Sequence, residues 1–140
     1  MTLQHILPYL TAPYTAGGQS IEEGFDCWTL LVDIYAKHKA ITLPVFPHVS
    51  RNSLQEIKDS ITSGNAMKGE WVELDKPRHL CAVGMSKFNN CLHHVGVYID
   101  ADGGKVLHAF KGSTVACEPI SKINQDFKVT KYYGLRHRNS

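Results

Sequence analysis

Cys27 follows Asp26 and opens the run Cys27-Trp28-Thr29-Leu30-Leu31-Val32-Asp33-Ile34-Tyr35, which sets a thiol where a helix should begin. Aspartate is a favoured N-cap, so the first helical N–H groups and the helix dipole would converge on the sulfur and favour its thiolate. From Cys27 the apolar residues Leu30, Leu31, Ile34 and Tyr35 recur at the spacing of a helix that buries one face. Cys27 belongs to that face, so a catalytic partner must come from whatever the helix packs against. The competing reading is an inert buried thiol behaving as a small hydrophobe.

A partner stands downstream, where Val95, Val97 and Ile99 alternate with His94, Gly96 and Tyr98 in the pattern of a strand. Asp100-Ala101-Asp102-Gly103-Gly104 supplies turn chemistry, and Lys105 to Phe110 predicts a second strand returning antiparallel. If Ile99 faces Lys105, then Gly96 faces His108, His94 faces Phe110, and the two histidines are diagonal neighbours on one face, about 7 to 8 Å apart at the backbone. A glycine inside a strand marks close approach of another group, and the Cys27 helix is the expected visitor at Gly96. Cys27, His94 and His108 then supply nucleophile, base and orienting group. A histidine without a task is the other reading of His94. The same alternation sends His93 to the opposite face.

These residues resemble those of the NlpC/p60 cysteine peptidases, a bacterial and phage branch of the papain-like enzymes. Pro13-Tyr14-Thr15-Ala16-Gly17-Gly18 followed by Gly24-Phe25-Asp26-Cys27 looks like the family's tyrosine, paired-glycine and Asp-Cys block. His94-Val95-Gly96-Val97-Tyr98 looks like its histidine strand, and Val106-Leu107-His108-Ala109 like the strand that carries its third polar residue. The order agrees from Pro8 to Arg136.

The resemblance implies that Cys27 attacks an amide carbonyl, that His94 is base and then acid, and that His108 orients His94. It places Tyr14 beside the nucleophile, binding substrate or stabilising an oxyanion site completed by the backbone N–H of Cys27; a core aromatic is the alternative for Tyr14. It also implies an α+β, papain-like NlpC/p60 fold, with N-terminal helices and the cysteine at a helix N-terminus packed on an antiparallel sheet. No cofactor and no metal are implied. The implied substrates are peptidoglycan stem peptides, cut as by a γ-D-glutamyl-diamino acid endopeptidase.

Trp28 and Thr29 stand where many members have serine and glycine. Asp26-Cys27-Trp28, with Ile41-Thr42-Leu43-Pro44 after the helix, looks more like members encoded in phage and prophage tail modules, which adds phage tail proteins to the implied partners. The usual Gly-Asp before the preceding strand is replaced by Pro77-Arg78-His79-Leu80-Cys81-Ala82-Val83.

Composition sets limits on these readings. A chain of 140 residues, 43% hydrophobic, predicts one domain from Met1 to Ser140 with a single real core. A net charge of +2 with dispersed basic residues argues against nucleic acid, and the basic Lys131 to Arg138 reads as a solvated tail. No apolar run approaches a membrane span and no N-terminal stretch resembles a signal peptide, so the expectation is synthesis in the cytoplasm and passage to a phage tail or the periplasm by another route.

Cys27, Cys81, Cys91 and Cys117 lack the paired spacing of a disulfide scaffold and are expected to be reduced, with Cys81 and Cys117 in the core. A zinc set of Cys91 with His93 or His94, and Cys81, matches no common structural spacing. Ser53-Leu54-Gln55-Glu56 predicts a capping box and a short helix ended by Gly64-Asn65. Strands are predicted at Leu80 to Met85, His93 to Ile99, Lys105 to Phe110, Thr114 to Cys117 and Phe127 to Tyr133. Helices first and strands after give an α+β domain. A protein of another class, a tail-assembly or wall-binding module that keeps the fold without catalysis, stays open, and thiol reactivity separates the two.

Overall fold

Asp26 caps the helix that begins at Cys27. Its Oδ1 accepts the N–H groups of Trp28 at 3.0 Å and Thr29 at 2.9 Å, and its own N–H donates to Thr29 Oγ1 at 3.0 Å. Two helical N–H groups are thereby satisfied, a cap of about 1 kcal/mol. The computed structural model describes residues 1–43, 71–88, 92–110 and 112–135; the helix predicted from Ser53 lies outside them.

The elements run α1 (Leu3–Tyr9), β1 (Gln19–Ser20), β2 (Gly24–Phe25), α2 (Cys27–His38), β3 (Trp71–Leu74), β4 (Ala82–Ser86), β5 (His94–Ile99), β6 (Lys105–Ala109), β7 (Val115–Pro119), α3 (Ile120–Asp126) and β8 (Val129–Leu135). Strands β1 and β2 pair as a short ribbon, and the other six form one antiparallel sheet in the order β3-β8-β4-β5-β6-β7. The α+β architecture with a cysteine helix on an antiparallel sheet is the expected one. Among the described residues, no helix is long and apolar enough to cross a membrane.

Strand alternation divides the core in two. On one face Leu30, Leu31, Ile34 and Tyr35 of α2 pack with Val95, Val97, Ile99, Leu107 and Ala109. On the other, Ile123 and Phe127 close over Val83, Met85, Tyr98 and Val106. Side chains at successive positions point to opposite faces of a sheet, so the odd positions of β5 meet α2 and the even ones meet α3. Tyr35 Oη donates to the Leu80 carbonyl at 2.7 Å and ties α2 to the approach to β4.

Register follows expectation at the hairpin, where Ile99 pairs with Lys105 and Val97 with Leu107. Strand β7 runs on to Pro119, beyond the predicted end at Cys117. Strand β8 starts at Val129 because Phe127 first closes α3, its N–H donating to the Ile123 carbonyl. Cys81 is fully buried as expected, whereas Cys117 is only half-buried.

Gly18 and Gly24 bring the chain before Cys27 into backbone-to-backbone contact. A Cβ at Gly18 would strike the Gly24 carbonyl, and one at Gly24 would strike the Pro13 carbonyl and Thr15 Oγ1. Gly24 also sits at φ +107°, a conformation that L side chains rarely adopt. Strain and overlap act together, so Gly24→Ala is expected to cost about 2 kcal/mol or more. Chemical denaturation of the variant beside the parent measures this, and an unchanged midpoint refutes it.

Candidate active site

The thiol and the histidine pair lie on opposite faces of the sheet, near the end where two strands part. β5 reaches back to His94 and β6 on to Ala109, yet they pair only over Val97–Ile99 and Lys105–Leu107. Beside this open end, the backbone N–H groups of Val95, Cys27 and Trp28 surround the Cys27 sulfur and pull its titration down, although the Trp28 N–H is itself bonded to Asp26 Oδ1. These three donors favour the thiolate, as a helix start should. They are outweighed, because burial and then the Asp26 charge push the thiol up to about 12. Cys27, 6% exposed, therefore rests as a neutral thiol, which corrects the expectation from the helix start alone. The N-cap that builds the helix end is itself an anion beside the sulfur.

Asp26→Asn should therefore lower the thiol's titration point while keeping a capping oxygen. Asp26 Oδ2 also accepts the Gly17 N–H at 2.8 Å, a contact that the amide cannot keep together with the cap, so a stability loss of about 1 kcal/mol is expected. The rate of Cys27 alkylation against pH, read by peptide mapping, should move to lower pH; a shift to higher pH is the opposing result.

On the other face, His94 Nε2 lies 2.8 Å from His108 Nδ1, so the diagonal pair foreseen from the hairpin is formed. His108 Nε2 lies 2.8 Å from Glu118 Oε1. Glu118 Oε2 is 3.1 Å from Lys122 Nζ, which in turn reaches Asp126 Oδ2 at 2.6 Å. The His94 ring is stacked nearly parallel to Phe110 and Phe127, with centroids 5.5 and 5.8 Å away. Burial first, then the neighbouring charges of His108, His93 and Lys87, hold His94 well below the usual imidazole range. Burial lowers His108 as well, against the opposing pull of Glu118. Both rings rest neutral near pH 7.

Gly96 has a different neighbour from the one expected. A Cβ there would lie 2.7 Å from Val106 Cγ1, 2.9 Å from the Leu107 carbonyl oxygen and 3.0 Å from His108 Cβ. The close approach is that of β6, not of the Cys27 helix, because Gly96 is an even position and faces away from α2. Its missing side chain gives His108 the room to fold in beside His94. His93 also departs from expectation: strand β5 begins only at His94, so alternation does not bind the residue before it. The His93 ring comes to 6.3 Å from Phe127, the ring on which His94 stacks, and its Nε2 accepts the Lys87 N–H at 3.0 Å.

Tyr14 bridges to Phe25, two residues before Cys27, and its N–H donates to the Ser113 carbonyl at 2.9 Å. With Pro13, Gly112, Ser113 and Thr114 it lines an open depression on the α2 side of the strand ends. The structure therefore joins His94 to His108, sets Cys27 against the residue next to His94, and ties Tyr14 to the strand leading into Cys27. Among the described residues no hydrogen bond links Cys27 to His94. Glu118 was missed by sequence reasoning, which ended its strand at Cys117, two residues too early. Alternation in β7 was the available signal, since Ala116 and Glu118 share the face of His108. Among the described residues no group of three or more His, Cys, Asp or Glu is placed to hold a metal ion; Cys91 lies outside them.

A helix-borne thiol set against an antiparallel sheet that carries a histidine pair defines an α+β fold of the thiol-hydrolase kind expected from the sequence. Within that class the chain belongs to the NlpC/P60 family, which it matches over residues 11–134. It is similar to Gamma-DL-glutamyl hydrolase of Bacillus subtilis (strain 168), 24% identical over 136 residues that cover 96% of this chain and 28% of the relative. The chain thus spans little more than a quarter of that protein's length. Among solved structures it is similar to the NlpC/p60 domain of peptidoglycan hydrolase SagA, with a TM-score of 0.55, 14% identity and 93% of both chains covered. An NLP/P60-family protein similar to lipoprotein, from Staphylococcus aureus subsp. aureus Mu50, aligns with a TM-score of 0.53 at 18% identity, covering 92% of this chain and 39% of that one. At these identities the likeness is one of fold.

Proposed function

We propose that the chain is a thiol hydrolase that cuts γ-glutamyl amide bonds in bacterial wall peptides, those joining γ-linked D-glutamate to the next diamino acid. The carrying observation is the hydrogen-bonded row His94–His108–Glu118 ending beside the helix-start thiol of Cys27. In this reading Cys27 gives its proton to His94 Nδ1 and the sulfur attacks the amide carbon. The oxyanion is met by the Cys27 N–H, since Asp26 occupies those of Trp28 and Thr29. His94 then protonates the departing amine, and water, activated by the same ring, releases the acyl group from sulfur. This reading requires the His94 ring and the sulfur to come together on substrate binding, as catalytic contacts often tighten only then. Tyr14, on the rim of the depression, binds the substrate or supports the oxyanion.

The γ-glutamyl bond is supported by the family and by the name of the Bacillus relative. Phage-tail association rests on Asp26-Cys27-Trp28 and Ile41-Thr42-Leu43-Pro44, and delivery to the wall belongs to the same reading. The test is digestion of purified peptidoglycan and, separately, of poly-γ-DL-glutamate, with mass analysis of the fragments. New amino termini at the diamino acid are expected; intact stem peptides after prolonged digestion overturn the reading. The buried, neutral Cys27 favours one alternative, a wall-binding or tail-assembly module that keeps the fold without catalysis. Pull-down on wall sacculi without release of fragments would support it.

A further inference from the structure

We propose that Glu118 is a positioning residue that sets the tautomer of both histidines and so leaves Nδ1 as the basic nitrogen of His94. This rests on the hydrolase reading for its catalytic consequence, but the tautomers themselves do not depend on it. A carboxylate only accepts hydrogen bonds, so Glu118 Oε1, 2.8 Å from His108 Nε2, requires the hydrogen to be on that nitrogen. In a neutral ring the other nitrogen then carries the lone pair, and His108 Nδ1 is the acceptor at 2.8 Å from His94 Nε2. His94 must therefore carry its hydrogen on Nε2, which leaves Nδ1 as the base. One carboxylate on β7 thus decides, two hydrogen bonds away, which nitrogen of His94 can take a proton.

The accounting of protons is simple. When Cys27 loses its S–H proton to His94 Nδ1, His94 becomes an imidazolium that keeps its Nε2–H, His108 keeps its Nε2–H, and Glu118 keeps its charge. No proton travels along the row. Glu118 contributes orientation and a fixed negative charge, the part an acid plays behind a catalytic imidazole.

Lys122 makes the arrangement testable. Its ammonium stands 3.1 Å from Glu118 Oε2 and donates only. In Glu118→Gln the ammonium claims the amide oxygen and turns the NH₂ toward His108 Nε2. The row then reverses: His108 Nε2 accepts, its Nδ1–H donates to His94 Nε2, and His94 Nδ1 carries hydrogen where the lone pair is needed. The conservative substitution is therefore as harmful as Glu118→Ala, or more so.

The experiment is a ring ¹⁵N–¹H correlation on the whole chain at pH 7.5 for the parent, Glu118→Ala, Glu118→Gln and Glu118→Gln/Lys122→Ala. It is read beside kcat, KM and the pH profile on a γ-D-glutamyl-diamino acid peptide. The charged groups around the two rings are His93, Lys87, Glu118, Lys122 and Asp126, and each single substitution leaves the others in place. Expected are Nε2–H tautomers for both histidines in the parent, mixed tautomers in Glu118→Ala and reversed ones in Glu118→Gln, with the double variant moving back toward the parent. Turnover should fall on the order of 10²-fold or more in Glu118→Gln with KM changed little. Unchanged tautomers in both single variants overturn the proposal, as does a loss of turnover that tracks melting temperature alone. If the parent cleaves no peptide, the hydrolase reading fails, and the spectra still decide the role of Glu118.

Discussion

Cys27→Ser is expected to lose hydrolysis by at least about 10³-fold while keeping the melting behaviour of the parent, and His94→Gln to lose about 10² to 10⁴-fold. Serine has nearly the shape of cysteine, so the backbone N–H groups around the sulfur and the Asp26 cap stay in place. What changes is the attacking atom, since a hydroxyl is a far weaker nucleophile than sulfur and loses its proton less readily. His94→Gln retains a hydrogen-bonding group toward His108 but no nitrogen base toward Cys27. In the proposed mechanism thiol and base act as one unit, so the double variant should be no slower than the worse single one. Fragment release from peptidoglycan, with circular dichroism and urea unfolding as controls, separates lost chemistry from lost fold. A Cys27→Ser protein within tenfold of the parent would remove the nucleophile from its role and favour the binding module.

The parts of the site that sequence revealed are those encoded within one element or one tight hairpin. Asp26 before Cys27 specifies a helix start locally, and the turn from Asp100 to Gly104 sets the register that pairs Ile99 with Lys105 and puts His94 next to His108. Less legible was how those elements lie across one another. Whether α2 covers the even or the odd face of β5 is a tertiary matter, and it decides that Gly96 meets β6 while Val95 meets the thiol. The state of the thiol was hidden for the same reason: the helix start is local, but the burial that outweighs it comes from the packed sheet. Helix α1, with Pro8 inside it, and helix α3, begun by Pro119 without a side-chain cap, gave no periodic signal long enough to read. Among the described residues strand β3 pairs only with β8, some sixty positions away, and its mostly half-buried residues have no clean alternation.

Stability should rise as pH rises toward 6.5 from the acid side, and His94 should carry a large share of the slope. The folded protein holds His94 well below the ordinary value of 6.5 because its ring is buried and lies beside His108, His93 and Lys87. As pH falls through 6.5 the unfolded chain takes up this proton while the folded chain refuses it, so acid favours unfolding until the depressed folded value is reached. Above 6.5 neither state is protonated and the contribution vanishes. One such group gives a slope approaching 1.4 kcal/mol per pH unit, about a tenfold change in the unfolding constant. His108, lowered also, adds to it, tempered by its bond to Glu118. Urea midpoints of parent and His94→Gln at pH 5, 6 and 7 test this, because glutamine keeps a polar contact to His108 and does not titrate. The variant should show a shallower dependence, and equal slopes would mean that His94 is not held neutral by the fold. The burial that makes the protein acid-sensitive also keeps the His94 ring neutral above pH 6.5, the state that the proposed proton transfer from Cys27 requires.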